Sequence, residues 1–151
     1  MTVQCPPLTV YSFENVEMTI DNREVVGFWE GDDVVSIARE TDVGTVTRGA
    51  DGANAVSVTA DQSATLTLRL QPNSAMNQYL EQRVKLLRMG SQRYLQVAVR
   101  DSTSGEGGGC TAAIIIREPS VAFGTSISVR EWVIFCNCWQ PNDIQYAPVA
   151  A

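Results

Sequence analysis

Residues 63–82 read SATLTLRLQPNSAMNQYLEQ, and within them the hydrophobic period changes from two to nearly four. Ala64, Leu66, Leu68 and Leu70 alternate with Thr65, Thr67 and Arg69, so a pleated strand sends the first set to one face and the second to the other. Gln71-Pro72-Asn73-Ser74 then interrupts the alternation. Met76, Leu80, Val84 and Leu87 follow at helical spacing, widened by Tyr79, with Gln78, Glu81, Gln82, Lys85 and Arg88 largely opposite. The spacing predicts a helix over 74–89, capped by Asn73 or Ser74 and stopped at Gly90. A strand whose apolar face packs with the helix that follows it is the first unit of the fold. Its polar face is left in want of a use.

Working outward, short alternating runs dominate. Residues 8–13, 16–20 and 25–29 read as extended, the second ending in the turn Asp21-Asn22-Arg23. Residues 34–40 and 43–48, joined by Thr41-Asp42, read as one hairpin. Residues 55–60 and 64–70, joined by Asp61-Gln62-Ser63, read as a second. GADGAN at 49–54 is a turn rich in residues that accept positive φ. Strands return at 94–100, 110–117 and 127–138, with DSTSGEGGG at 101–109 as a loop. The pattern predicts a mostly β protein, an antiparallel β-sandwich or barrel with one flanking α-helix. A length of 151 residues suits a single domain over 1–151, with arms at 1–7 and 140–151.

Composition excludes several functions. An apolar fraction of 44% and a charged fraction of 19% suit a folded chain, and no apolar run approaches the length of a membrane span. The start, MTVQCPPLTVYSF, lacks the basic and apolar blocks of a signal peptide. Cytosolic synthesis is therefore expected, with cysteines 5, 110, 136 and 138 as thiols. Cys136-Asn137-Cys138 has the spacing of half a metal site, but there is no histidine and no second close pair. The pair reads instead as two small residues on one face of a buried strand, and no metal is predicted.

Without histidine, Ser–His and Cys–His catalysis are unavailable. Asp32 and Asp33, or Glu40 and Asp42, sit in turn-rich segments where nothing would raise a carboxyl pKa for acid catalysis. The glycines at 105–109 lead into a strand without a lysine, so they read as a hairpin tip rather than a phosphate cradle. No catalytic residue and no cofactor is predicted, and the chain does not read as an enzyme. Trp132 and Trp139 could stack on sugars. Against this, Trp132, Ile134 and Cys136 alternate with Val133, Phe135 and Asn137, and both faces are largely apolar, as in a buried strand.

The net charge of −6 is uneven. Residues 1–51 carry ten acidic side chains against Arg23, Arg39 and Arg48, a balance of −7, while residues 52–151 stand at +1. A basic surface for gripping DNA is not indicated. The acidity suits a solvated face, or a surface that nucleic acid must pass without sticking.

TVYSFENVEMTIDN at 9–22 and TRGADGANAVSVTADQSATLTLRLQPNSAMNQYLEQ at 47–82 resemble the tail tube proteins of contractile-tailed bacteriophages. The matching features are Tyr11-Ser12-Phe13 with Val16, the Gly49–Gly52 turn in GADG, the alternating strand ending in Arg69-Leu70, and the polar helix start running from Asn73 to Leu80. The resemblance spans about the first ninety residues and implies a β-sandwich or barrel protomer with a flanking helix. It further implies hexameric rings whose inner strands join into one continuous barrel, stacked into a tube inside a contractile sheath. The implied partners are other copies of the chain, the sheath protein, tube initiator or baseplate and terminator proteins, and phage DNA passing without specific binding. No membrane insertion is implied. The implied place is the virion tail, after assembly in the host cytoplasm.

In that setting the second faces of strands 16–20, 55–60 and 64–70 are expected to line the lumen. The candidates are Glu17, Thr19, Asp21, Ser57, Thr59, Thr65, Thr67 and Arg69, with Arg69 pairing to a neighbour's carboxylate. The acidic, turn-bounded region 29–54, with Glu30, Asp32, Asp33, Glu40, Asp42, Arg48 and Asp51, is expected to project toward the next ring, or else to be an ordinary surface hairpin. A DNA-free tube of a contractile injection or secretion system fits the same residues. A monomeric carbohydrate-binding β-sandwich belongs to a different class, and it requires exposed tryptophans.

Overall fold

Ten strands and one helix, in a computed structural model that describes residues 4–141, account for the alternation. They are β1 (Val16–Ile20), β2 (Arg23–Glu24), β3 (Val35–Arg39), β4 (Gly44–Arg48), β5 (Asn54–Val58), β6 (Ala64–Leu70), α1 (Ala75–Arg88), β7 (Leu95–Asp101), β8 (Gly107–Arg117), β9 (Arg130–Cys136) and β10 (Gln140–Pro141). The main antiparallel sheet runs β2-β1-β7-β8-β9-β6-β3, with β10 continuing the line of β9 against β8. β4 and β5 form a two-stranded sheet of their own.

The opening stretch folds as its periods dictate. On β6, Ala64, Leu66, Leu68 and Leu70 are fully buried and Thr65, Thr67 and Arg69 half-buried. Leu66 and Leu68 stand opposite Ile134 and Trp132 of β9, and each large side chain so buried contributes about 1.5–3 kcal/mol of hydrophobic stabilisation. Met76, Leu80 and Val84 close the core from α1. The Trp132 indole N–H donates to Asn77 Oδ1 at 2.9 Å and ties the helix to β9.

Both helix ends are specified locally. The Ser74 hydroxyl accepts from the Met76 N–H at 3.3 Å and donates to the Val26 carbonyl at 2.5 Å, which satisfies one orphan donor of the first turn and joins the helix to the 25–29 segment. At the other end the Gly90 N–H reaches Leu87 O and the Ser91 N–H reaches Leu86 O, the paired bonds of a Schellman motif. Gly90 has the positive φ, +92°, that this ending requires.

Several expectations need correction. The chain from 34 to 70 is not two successive hairpins but one long one. β3 pairs with β6 and β4 with β5, so the single reversal is GADGAN at its tip. Thr41-Asp42 and Asp61-Gln62-Ser63 are breaks along its two limbs, bridged by Glu40 N–H to Ser63 O and Thr59 N–H to Val43 O. The 25–29 segment holds only a bridge between Phe28 and Leu70, because Gly27 at φ +77° turns the chain beneath Ser74. Residues 8–12 form no strand, and Ser12 caps a 3₁₀ turn, Phe13–Asn15.

The glycine run is only partly loop, since β8 begins at Gly107. A Cβ on Gly108 would stand 2.5 Å from Gln140 O and 2.8 Å from the Trp139 ring, so the strand is bare there to let Trp139 and β10 close in. β9 spans less than the expected 127–138. Of the two arms, residues 4–7 are exposed and Gln140–Pro141 are β10; the remainder lies outside the described residues.

Candidate assembly surfaces

The sheet has one face closed by the core and α1 and one face bare of helix. On the bare side, Thr65, Thr67 and Arg69 of β6 stand beside Phe135, Val133 and Glu131 of β9 and, for the threonines, beside Ala38 and Ser36 of β3. Arg69 finds its carboxylates within its own chain rather than in a neighbour. Its Nε reaches Glu131 Oε2 at 3.1 Å and its Nη1 pairs with the Asp33 carboxylate. The hydrogen bond from Arg69 holds the Asp33 carboxyl below the usual carboxylate range. The Thr65 hydroxyl donates to Glu40. On β6 short hydroxyls and a neutralised arginine therefore make this side polar without strong net charge, while Val133 and Phe135 keep the neighbouring stretch of β9 apolar.

The remaining lumen candidates are dispersed. Glu17 and Thr19 stand on β1 opposite Arg100 and Ala98, with β7, β8 and β9 between them and β6. Asp21 lies in the β1–β2 turn at φ 52°, where it accepts from Tyr79 Oη at 2.5 Å and the Gln96 N–H at 2.8 Å and pairs with Arg83 at 3.5 Å. That carboxylate clamps α1 to the sheet. Ser57 and Thr59 are exposed on the long hairpin.

The expected inter-ring region divides in two. Glu30 and Asp32 line a cavity of 450 Å³ against the body, with Asp33 bound to Arg69 beside them. Glu40, Asp42, Arg48 and Asp51 lie on the hairpin. Among the described residues the hairpin limbs β4 and β5 pair only with each other and bury nothing. Val43, Val46, Val56 and Val58 are 50–80% exposed there. Sequence reading found the polar side of β6 and the acidic hairpin, but missed the seam of the sheet. β3 and β1 stand at distant places in the strand order, yet Val35 and Ile37 share a cavity of 520 Å³ with Val16 and Val99. The sheet therefore curls into a barrel left open along β3, whose outer edge has no partner strand among the described residues.

The tryptophans a sugar-binding surface would use are in the core: Trp132 is 0% and Trp139 5% exposed. Cys136 and Cys138 do not share a strand face, because β9 ends at Cys136. Cys136 is buried, whereas Cys138 is exposed beside Gln62 and Gln140. Burial, with Cys110 adjacent, pushes the Cys136 thiol up to about 12. Titration of the unassembled protein with a thiol reagent at neutral pH is expected to count two reactive cysteines, Cys5 and Cys138, and all four after denaturation. Fast reaction of Cys136 in the folded chain would contradict this packing.

Residues 8–142 match the family model described as Bacteriophage PhiTE tail tube protein. Among curated proteins, none matches the sequence. Among solved structures, the sheath/tube terminator of the PVC extracellular contractile injection system in its extended state superposes with a TM-score of 0.64 at 14% identity, over 93% of this chain and 100% of that one. A chain of the PVC sheath-tube complex in the extended state gives 0.60 at 16% identity, over 91% and 93%. The tube-terminating cap of the anti-feeding prophage gives 0.59 at 14%, over 94% of each. At these identities the likeness is one of fold, shared almost equally by the two terminator proteins and the chain of the sheath-tube complex.

Proposed function

This chain belongs to the Bacteriophage PhiTE tail tube protein family, and on that premise we propose that it is the inner-tube subunit of a contractile tail. It is a structural protein, not an enzyme. Six copies close into a ring, rings stack into a tube inside a sheath, and phage DNA leaves through the channel. Copies of itself, the sheath, and initiating and terminating proteins are its partners in the virion tail.

The hairpin carries this reading. Two strands with nothing beneath them among the described residues, exposing three valines and a fourth just before β4, are marginal in water as an isolated pair. They gain a purpose if neighbouring copies complete them. The open edge of β3 asks for the same completion, and closing such edges between subunits removes their tendency to pair at random. The helix-free face with Thr65, Thr67 and Arg69 lines the channel, and the region 29–54 meets the next ring. With Arg69 already neutralised by Asp33 and Glu131, that arginine offers passing DNA no free charge to trade for its counterions.

Negative-stain microscopy of the purified protein is expected to show rods with a stained central channel. A compact monomer even at high concentration would overturn the tube, and a reconstruction with α1 against the channel would overturn the lumen assignment.

A further inference from the structure

A cavity of 270 Å³ lies between α1 and the segment 118–129, at the end of the sheet away from the hairpin. Pro72, Pro119, Val121 and Trp132 form its apolar walls, and Arg130 lines it. Arg130 is nine-tenths buried, with 9% exposed. Its Nη1 donates to Ser128 Oγ at 2.7 Å and to the carbonyls of Ser128 and Val129 at 3.3 and 3.2 Å. Unlike Arg69, Arg83 and Arg88, it has no carboxylate within ion-pair distance among the described residues. No side-chain nitrogen there is both sealed and unbonded, so its remaining donors keep access to solvent in a residue that lines the cavity. Lys85 and Arg88 add positive charge at the rim against Glu81, and Glu118 is already committed to Arg88, which leaves the lining with a net charge of +1. A buried guanidinium without a counter-charge fits a planar carboxylate, which it can hold through two parallel bonds.

The chain supplies such a carboxylate at its other end. Arg130 stands opposite Leu70 at one end of β6, whereas the hairpin leaves beyond Ala64 and Arg39 at the other. Residues 40–61 of the hairpin carry Glu40, Asp42, Asp51 and Asp61 against Arg48 alone. Asp51 sits in the reversal itself, exposed, with Oδ1 accepting the Ala53 N–H. An acidic projection at one end and a cationic recess at the other make a head-to-tail contact, the kind that stacks without closing. We propose that the Arg130 cavity receives the Asp51 hairpin tip of a copy in the next ring. The inference rests on the tube reading above and names the receptor for its stacking contact.

Rod yield at low salt, with circular dichroism to verify folding, tests it. Asp51→Asn keeps the acceptor for Ala53 but removes the charge, Lys85→Glu reverses the rim, and Arg130→Met removes the buried cation at similar volume. Each is expected to cut rod yield by about tenfold while rings persist. The exchange Asp51→Lys with Arg130→Glu, which reverses the pair itself, is expected to recover most of the loss, which a merely destabilised fold would not do. Wild-type rod yield from the three folded single variants, or no recovery in the exchange, overturns the receptor and leaves the tube standing. Absence of rods from the wild-type protein overturns both.

Discussion

Replacing residues 44–58 with Asn-Gly is expected to leave a folded body that no longer makes tubes. The geometry permits the excision. The Thr59 N–H already donates to Val43 O at 2.9 Å, the bond that closes a two-residue hairpin, and Asn-Gly supplies the two positive φ values such a turn needs. Nothing in the core is lost, because residues 45–48 and 54–58 are all exposed and pair only with each other. Thermal stability should therefore stay within about 0.5 kcal/mol of the parent, the usual scale for surface changes. Assembly should fall away altogether, since three exposed valines (Val46, Val56 and Val58) and two of the hairpin's charges (Arg48 and Asp51) leave together. Sedimentation separates the outcomes: particles no larger than rings support the hairpin's role in stacking, while tubes of normal length remove it from the interface.

What the sequence showed, and what it concealed, has a common physical origin. Alternation reports which face of a strand is buried, so Leu66, Leu68 and Leu70 were legible as core and Thr65, Thr67 and Arg69 as the opposite face. Helix ends were legible because their signals are local, in Ser74 and Gly90. Pairing is not local. Thr41-Asp42 and Asp61-Gln62-Ser63 have the residues of turns, and their side chains do bond nearby, Thr41 to Asp61 and Asp61 to the Ser63 N–H. The chain nevertheless runs on through both breaks, and the ladder resumes beyond them. The same blindness hid the partners of Arg69. Asp33 lies 36 positions and Glu131 62 positions away in sequence, and only the register of β6 against β9 and the path of the 29–34 segment bring them together. Arg130 was hidden for a different reason: on the sequence it is an ordinary charged residue at a strand end, and its burial comes from α1 and the 118–129 segment folding over it.

Leu68→Ala and Thr67→Lys, one residue apart on β6, are expected to fail in opposite ways. Leu68 is fully buried opposite Trp132, and its truncation removes transfer energy and leaves a cavity, a loss of about 2–5 kcal/mol. For a chain of this size each kcal/mol lowers the melting temperature by roughly 2–4 °C, so the variant should melt far below the parent and yield little assembled material. Thr67, between Ser36 and Val133 on the helix-free face, has room for a longer side chain in the unassembled protein, and its replacement should melt like the parent. Its effect belongs to the tube. On the proposed lumen assignment, a lysine there in every copy would give the channel a ring of unpaired cations at each level. Tubes should then hold short linear duplex DNA with an affinity that falls steeply with salt, while closed circular DNA, which cannot thread a tube, stays free. Equal binding of linear and circular DNA would place residue 67 on the outside. No binding of either would remove it from any surface that DNA can reach. The strand's apolar side holds the subunit together, and the DNA assay asks whether its polar side meets the cargo.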